Sequence, residues 1–293
     1  MNALELHDVS KVYPGKKRTN VEALSRLNLQ IVAGEVFGFL GPNGAGKSTT
    51  IKTIMALIKP TYGMASVFGL PVTDAAARKR IGYLPENPSF YEFMTARELL
   101  RFVGRAFDME ASAIDRESER VLALLELAVA ADRPIRGYSK GMVQRLGLAQ
   151  ALLHNPDIYI LDEPMSGLDP LGRALVKDII INLKKQGKTV FFSTHITADV
   201  EVVCDRLGVI VKGKLQVVDR VDAILQSGIE GYILQVCRGE EGSEEMFIEK
   251  GDLKTVLKSL AASDATVERI EPKRKDLEAF FLDIVSRGEH ATQ

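Results

Sequence analysis

The hydrophobic positions near the start of the chain predict strands followed by a helix. Residues 4–9 alternate between apolar and polar side chains, as in a half-buried strand. A polar turn at residues 14–17 and a second run that ends in the apolar segment 35–40 indicate a hairpin and a further strand. The next apolar positions follow the spacing of one helical face: Ile51, Ile54, Met55 and Ile58. We therefore predict strand, loop and helix, with the helix stopping before Pro60.

The rest of the chain alternates between helical and strand-like patterns. Residues 95–153 are helical in pattern and open with Thr95 and Glu98, which are spaced as a capping box. Strand-like segments follow at 157–161, 189–193 and 207–211. The first two are separated by a helix-like stretch at residues 171–185. This alternation is typical of an α/β protein with a parallel sheet.

The change in pattern near residue 220 predicts two domains. We expect an α/β domain at residues 1–219, with an N-terminal antiparallel β subdomain and a helical insertion at about 88–153. Residues 220–293 are predicted to form a small C-terminal α+β domain, because they combine a charged, Gly-containing segment with a helical segment. A length of 293 residues agrees with about two domains.

Composition and charge exclude several classes of protein. Hydrophobic residues make up 46% and charged residues 26%, which is typical of a globular protein and not of a disordered one. The formal net charge of −1 argues against nucleic acid as a partner. Cys204 and Cys237 lack the spacing of a metal site or a disulfide framework, so we expect reduced thiols. Since we find neither a signal peptide nor an apolar run of about 20 residues, we expect a cytoplasmic protein.

A glycine-rich loop is the strongest chemical signal. It fits the pattern G-x-x-x-x-G-K-[ST] and consists of Gly41, Pro42, Asn43, Gly44, Ala45, Gly46, Lys47 and Ser48, with Thr49 next. Its backbone N–H groups would surround phosphate oxygens, Lys47 would reach the β- and γ-phosphates, and the Ser48 hydroxyl would bind Mg²⁺. Thr49 would donate a further hydrogen bond. A glycine-rich turn without a ligand is the alternative, but such a turn does not require the Lys-Ser pair. The loop predicts a P-loop NTPase core.

Two adjacent acids at the end of an apolar strand indicate a metal and phosphate site. Asp162 would hold Mg²⁺ through water, as the corresponding acid does in P-loop proteins. Glu163 points in a different direction because of the strand pleat, and it would polarise the attacking water. The alternative is a pair of surface acids, which the nearby phosphate loop makes the weaker interpretation.

Further motifs give a resemblance to a known family. The chain carries YSKGMVQR at 138–145, SGLDP at 166–170 and STH at 193–195. In this order, with the phosphate loop and the two acids, they resemble the nucleotide-binding subunit of ATP-binding cassette transporters over about residues 1–219. The resemblance implies a homodimer that holds two ATP molecules between its subunits, and therefore ATP hydrolysis by the dimer.

The resemblance also implies roles for single residues. Ser139 and Gly141 would face the γ-phosphate bound by the other subunit, and the cap position of Ser139 before a helix agrees with an anion site. His195 would contact the γ-phosphate and orient Glu163. Asp169 would link the two halves of the dimer, and Tyr13 would stack on adenine.

Three positions, in two segments, depart from the family pattern. Lys140 and Met142 replace a glycine and a glutamine of the usual Leu-Ser-Gly-Gly-Gln segment. Glu86 stands where the family usually has a glutamine. A carboxylate can still bind Mg²⁺ or its water, although it cannot donate a hydrogen bond when it is ionised.

Glu86, the segment at 138–142 and the closing segment at 275–282 are similar to the type-2 export branch of the family. In that branch the permease is often a separate chain, so we expect integral membrane permease subunits as partners and a location at the cytoplasmic face of the membrane. A non-transport cassette ATPase acting on ribosomes or DNA is an alternative, and so is a P-loop kinase for a small molecule. The kinase alternative leaves residues 139–145 and His195 unexplained.

Overall fold

The computed structural model describes residues 1–15, 20–227, 229–238, 243–263, 265–274 and 276–290. The strands are β1 (Asn2–Pro14), β2 (Asn20–Val32), β3 (Val36–Leu40), β4 (Tyr62–Val67), β5 (Leu70–Pro71), β6 (Ile81–Leu84), β7 (Ile158–Asp162), β8 (Thr189–Thr194), β9 (Arg206–Val211), β10 (Lys214–Arg220), β11 (Ile229–Arg238), β12 (Ser243–Glu249) and β13 (Ala265–Arg274). The helices are α1 (Lys47–Ile54), α2 (Ala75–Lys79), α3 (Ala96–Ala106), α4 (Ala111–Leu124), α5 (Lys140–Leu152), α6 (Pro170–Lys185), α7 (Thr197–Val203), α8 (Val221–Ser227), α9 (Leu253–Ala261) and α10 (Leu277–His290). Within the described ranges, none of these helices has the length and apolar character needed to cross a bilayer.

Two sheets lie within the first 220 residues. The smaller is antiparallel, with strand order β2-β1-β4-β5. The larger has the order β10-β9-β3-β8-β7-β6, and its strands are parallel except for β10, which pairs antiparallel with β9. The α/β fold with an antiparallel β part is confirmed. Of the predicted turn at 14–17, residues 16 and 17 lie outside the described residues.

The central strands are buried on both faces, as strands of parallel sheets are. Every residue of β3, β7 and β8 is buried. On one face, Phe37, Phe39 and Phe191 pack with the side chains of the antiparallel sheet, and the Phe39 and Phe191 ring centroids are 5.3 Å apart. On the other face, Leu40 and Leu161 pack against the helices. This two-sided burial fixes the ends of β3, β7 and β8 at one edge of the sheet.

The helix after β3 is shorter than the sequence predicts. It ends at Ile54, so the predicted Ile58 lies beyond it. Ala56 has a φ of 54°, and the backbone N–H of Leu57 donates to the Lys52 carbonyl oxygen at 2.9 Å. Such a left-handed residue with a backward bond is a common helix ending, and apolar spacing does not reveal it.

The region between β6 and β7 is mostly helical, as predicted. The Thr95 and Glu98 capping box is present at the start of α3. The helices α3, α4 and α5 pack together around side chains such as Leu100 and Leu122. The pattern is not helical throughout, because residues 125–139 form loop and two short 3₁₀ turns, Ala128–Ala130 and Ile135–Gly137.

The C-terminal part has its own small sheet, with strand order β12-β11-β13 and α9 packed on it around Leu234 and Leu260. The last helix, α10, packs instead against α7, α8 and β9, and Leu277 is buried in the larger core. The domain boundary at residues 219 and 220 stays a prediction. Of the closing segment quoted above, Lys275 lies outside the described residues.

Candidate functional site

The predicted phosphate loop lies between β3 and α1, at the end of the parallel sheet. Gly46 has a φ of 113°, a conformation that glycine adopts readily and other residues rarely. A Cβ atom at Gly41 would be 2.6 Å from the Ile210 carbonyl oxygen, so only glycine fits there. The loop borders a cavity of about 210 Å³, whose described lining residues are Ala23, Pro42, Asn43, Gly44, Ala45, Gly46, Lys47, Ser48, Thr49, Glu86 and Glu163.

Lys47 is buried at the base of this cavity. Its Nζ donates to the carbonyl oxygen of Gly41 at 2.6 Å and to that of Pro42 at 3.4 Å. The same Nζ is 3.6 Å from Glu163 Oε1. A buried cation needs nearby oxygen atoms, and these carbonyl and carboxylate groups supply them. The ammonium group is thereby held at the position where phosphate oxygens would bind.

Asp162 ends β7 and is almost fully buried beside the loop. Ser193 Oγ donates to Asp162 Oδ1 at 2.5 Å. Burial raises the pKa of the Asp162 carboxyl, and the negative charge of Glu86 raises it further, while hydrogen bonds from Ser193 and Ser48 and the charge of Lys47 act in the opposite direction. The site therefore holds a carboxylate whose ionised form would be stabilised by an added cation.

Glu163 and His195 form a pair at the cavity. The Nδ1 atom of His195 is 3.0 Å from Glu163 Oε1 and 3.1 Å from Oε2. Because an ionised carboxylate only accepts hydrogen bonds, the Nδ1 atom is the donor in this pair. Glu163 is buried, whereas about half of the His195 side chain is exposed. The structure thus brings together two residues that are 32 positions apart in the chain.

Glu86 follows β6 and lines the same cavity as the phosphate loop. Burial is the largest cause of the raised pKa of Asp162, and the negative charge of Glu86 acts in the same direction. The neighbouring Pro85 and Pro88 line a separate groove of about 590 Å³ between the sheet and the helical region. The segment at 85–88 therefore borders both the cavity and the groove.

Ser139 and Gly141 lie at the N-terminus of α5, outside the lining of the cavity. Ser139 is exposed and is the N-cap of α5, and its Oγ accepts a hydrogen bond from the Met142 backbone N–H at 3.2 Å. A Cβ atom at Gly167 would be 2.8 Å from Cε of Lys140, so the lysine chain lies over this glycine. These residues face the surface next to the segment 166–170.

Asp169 and Tyr13 also lie beyond the cavity lining. Asp169 is exposed and is the N-cap of α6, with Oδ1 accepting from the Gly172 backbone N–H at 2.8 Å. Tyr13 is in β1, and Lys11 Nζ is 5.1 Å from its ring centroid. Each of these side chains has a local contact that explains its position without a ligand.

Two residues at the site received no role from the sequence. Ser193 Oγ bonds to Asp162 and accepts from the Glu163 backbone N–H at 3.0 Å. Gln144 is buried, and its Nε2 donates to the carbonyl oxygens of Glu163 and Pro164. Both residues occur within the segments 138–145 and 193–195, so the motifs contained them, but only the fold shows what they contact.

The chain is similar to known ATP-binding proteins over most of its length. A family model described as ABC transporter matches residues 24–166. An uncharacterized ABC transporter ATP-binding protein of Synechocystis sp. is 38% identical, over 96% of this chain and 84% of the relative. Nod factor export ATP-binding protein I of Sinorhizobium fredii is also 38% identical, over 81% of this chain and 68% of the relative.

A solved structure agrees with these matches. It is a dimeric, post-hydrolysis state of an ATP-binding cassette bound to ADP and Pi, and it is 26% identical with a TM-score of 0.69. The similarity covers 74% of this chain and 98% of that cassette. The alternative of a P-loop kinase disagrees with this result. The sequence similarity spans nearly the whole chain, and the fold is shared with a nucleotide-bound cassette. The chain therefore belongs to the ABC transporter family, as an ATP-binding subunit that hydrolyses ATP.

Proposed function

We propose that this chain is the ATPase subunit of an exporter. Two copies would enclose two ATP molecules and drive separate membrane-spanning permease subunits at the cytoplasmic face of the membrane. The observation that carries the proposal is the cluster of Lys47, Glu163 and His195 at the phosphate loop, with Asp162 beside it. Such a cluster holds a cation that would bind phosphate within a few ångströms of a carboxylate that would accept a proton from water.

The cluster supports a role for single residues of this chain in the steps of hydrolysis. The loop backbone and Lys47 would hold the β- and γ-phosphates, since both are suited to anions. Glu163 would accept the proton of the water that attacks the γ-phosphate. His195 would orient Glu163 through its Nδ1 hydrogen bond and contact the γ-phosphate. ADP and phosphate are then the products.

The residues at the loop also fit Mg²⁺. The donors are oxygen atoms, namely the Ser48 hydroxyl and the Asp162 and Glu86 carboxylates, which is the chemistry Mg²⁺ prefers. Among the described residues no group of three His, Cys, Asp or Glu side chains would hold a metal alone. That agrees with Mg²⁺ in phosphate sites, where few protein ligands act together with water and phosphate. When bound, Mg²⁺ would neutralise charge on the phosphates.

The test of the catalytic assignment is Glu163→Gln, which keeps the size of the side chain but removes the base. We expect ATP to bind, turnover to fall by about 10² to 10⁴, and an ATP-bound dimer to accumulate. Phosphate release and size-exclusion chromatography with Mg·ATP measure these effects. The control is Glu201→Gln, at an exposed acid on α7. Unchanged phosphate release together with a monomer in Glu163→Gln would contradict the proposal.

Export is supported by the relatives and by sequence details. The Sinorhizobium relative is named for export of Nod factor, and the segments at 86 and 138–142 resemble the type-2 export branch. The alternative of a cassette acting on ribosomes or DNA has less support, since the net charge is −1 and the relatives are named as transporter subunits. Cargo would be handled by the permease.

The groove beside Glu86 supports an interaction with the permease. Its lining includes Tyr91 and Phe102, whose large side chains are mostly exposed, and Phe93 is exposed nearby. Exposed aromatic side chains are enriched at protein interfaces. Since residues 85–88 border both this groove and the ATP cavity, we assign Glu86 to the coupling between a permease helix and the metal site.

The coupling role is tested with Glu86→Ala and Glu86→Gln. The Gln variant keeps an acceptor oxygen and similar size, so basal ATPase should change little. The Ala variant should lower permease-stimulated ATPase by a larger factor than basal ATPase. Both rates are measured in vesicles with and without the co-purified membrane subunit. Equal factors for the two rates would mean that Glu86 serves the metal site alone.

A further inference from the structure

The backbone of Glu163 has an uncommon conformation. Its φ is 49°, in the left-handed region, which costs a residue other than glycine about 1–3 kcal/mol. Its backbone N–H donates to Ser193 Oγ at 3.0 Å and is 3.2 Å from the Ser193 carbonyl oxygen. Such a conformation persists where the surroundings fix it on both sides. The groups that hold the carbonyl side of Glu163 therefore affect where its carboxylate points.

Gln144 holds that carbonyl side. Its Nε2 donates to the Glu163 carbonyl oxygen at 3.3 Å and to the Pro164 carbonyl oxygen at 3.3 Å. One amide nitrogen has two hydrogens, so it serves both acceptors at once. The side chain is buried, with 4% of the residue exposed, and the Ser166 backbone N–H adds a bond to the Glu163 carbonyl oxygen at 3.0 Å.

The position of Gln144 on α5 connects it to the surface segment. Ser139 caps this helix, and Gln144 is five residues further along, a rise of about 7.5 Å. A helix transmits displacement of its end to the residues that it carries. A shift at Ser139 therefore moves the amide that fixes the backbone of Glu163.

We propose that Gln144 is a positioning residue for ATP hydrolysis. It fixes the backbone of Glu163 so that the carboxylate stays beside His195 and Lys47. Because Gln144 is part of α5, the position of this helix, which Ser139 caps, determines the position of Glu163. The inference rests on the proposed role of Glu163 as the base. It predicts that losing the amide donors lowers kcat without weakening ATP binding.

The first test is Gln144→Met, which keeps the length of the side chain and removes both donors. We expect kcat to fall about tenfold, as for the loss of one to two hydrogen bonds, with the Kd for a fluorescent ATP analogue changing less than twofold. The control Gln30→Met makes the same substitution at an exposed position of β2 and should leave kcat unchanged. An unchanged kcat in Gln144→Met, or a parallel loss of ATP affinity, would overturn the inference.

A double-mutant cycle shows whether Gln144 acts through Glu163. In a Glu163→Gln background, Gln144→Met should cause no further loss of turnover, and the ATP-dependent dimer should still form. The same factor lost in both backgrounds, or a lost dimer, would mean that Gln144 acts elsewhere. Full turnover in Glu163→Gln alone would instead contradict the proposed base, and this inference with it.

Thermal unfolding would reveal whether Gln144→Met folds poorly, and a second variant tests the inference in that case. Gln144→Glu keeps the length, but an ionised carboxylate cannot donate to the two carbonyl groups, whereas a protonated one donates once. The kcat of this variant relative to the parent should rise as the pH is lowered. A ratio independent of pH would overturn the inference.

Discussion

Polar side chains find their partners in different ways in two regions of the molecule. One region is the cavity at the phosphate loop, and the other is the surface formed by Ser139, Lys140 and Asp169. In the cavity, Lys47 and Glu163 are 7% and 9% exposed and have their partners within the same chain. At the surface, the Ser139 and Asp169 side chains are exposed and bond to the first turns of their own helices. The cavity is thus organised within one chain, whereas the surface leaves groups available to a second molecule.

A buried ion cluster connects the two regions. Asp199 is 1% exposed, and its carboxylate lies 2.9 Å from both Arg173 Nη2 and Lys177 Nζ on α6. Helix α6 begins after Asp169, and α7, which carries Asp199, begins two residues after His195. Because a buried charge is costly without its partners, this cluster holds the two helices together. The helix that begins after Asp169 and the helix that follows His195 are therefore joined by buried ion pairs within one chain.

The largest effect on ATP binding is expected in the cavity. Lys47→Ala removes the one side-chain cation of the loop, and hydrogen bonds to charged groups contribute about 1.5–3 kcal/mol, so affinity should fall about 10- to 100-fold. Titration with a fluorescent ATP analogue measures it. The control is Lys52→Ala, an exposed lysine on the same helix. Equal affinity in Lys47→Ala and the parent would contradict the assignment of the loop.

The surface should respond differently, with a smaller effect that leaves ATP affinity intact. Ser139→Arg adds bulk where the second subunit is expected, so turnover should fall about tenfold, equivalent to about 1.4 kcal/mol, while the ATP Kd stays within twofold of the parent. Size-exclusion chromatography of the variant in a Glu163→Gln background reports on the dimer. Ser139→Ala removes the same hydroxyl, and with it the helix cap and the expected contact with the other subunit's nucleotide, but adds no bulk. If both variants lose the dimer equally, the loss comes from the missing hydroxyl and not from the added bulk.

The smallest effect concerns Asp162 and the stability of the nucleotide-free protein. Burial raises the pKa of this carboxyl in the folded state above its ordinary value of 3.8. The folded state therefore binds the proton more tightly than the unfolded state does. The free energy of unfolding falls as the pH rises from 3.8 through the raised pKa. Asp162→Asn should therefore raise the melting temperature relative to the parent at pH 7, and the difference should vanish below about pH 3.8. Thermal unfolding against pH measures this. With Mg·ATP, the parent should be the more stabilised, and a higher melting temperature of the parent without nucleotide would contradict the explanation.

The sequence predicted the parts of the fold that depend on local patterns. The strands at 189–193 and 207–211 and the helix at 171–185 follow from apolar periodicity, and each is present within two residues of the expected bounds. The Thr95 cap follows from four adjacent positions and is also present. The predicted end of α1 was wrong, because the left-handed conformation of Ala56 ends the helix without any break in the apolar spacing. The strands β4 and β5 were not predicted.

At the candidate site, the sequence by itself determined the phosphate loop and the two acids, because a contiguous motif after a strand specifies its own local geometry. Only the tertiary structure decided which distant groups meet there. His195 lies 3.0 Å from Glu163, and Gln144 bonds to the Glu163 carbonyl oxygen, across 32 and 19 positions of the chain. It also decided that α10 packs against α7 and β9. Contacts of this kind depend on how sheets and helices bury their faces against each other, which no local pattern encodes.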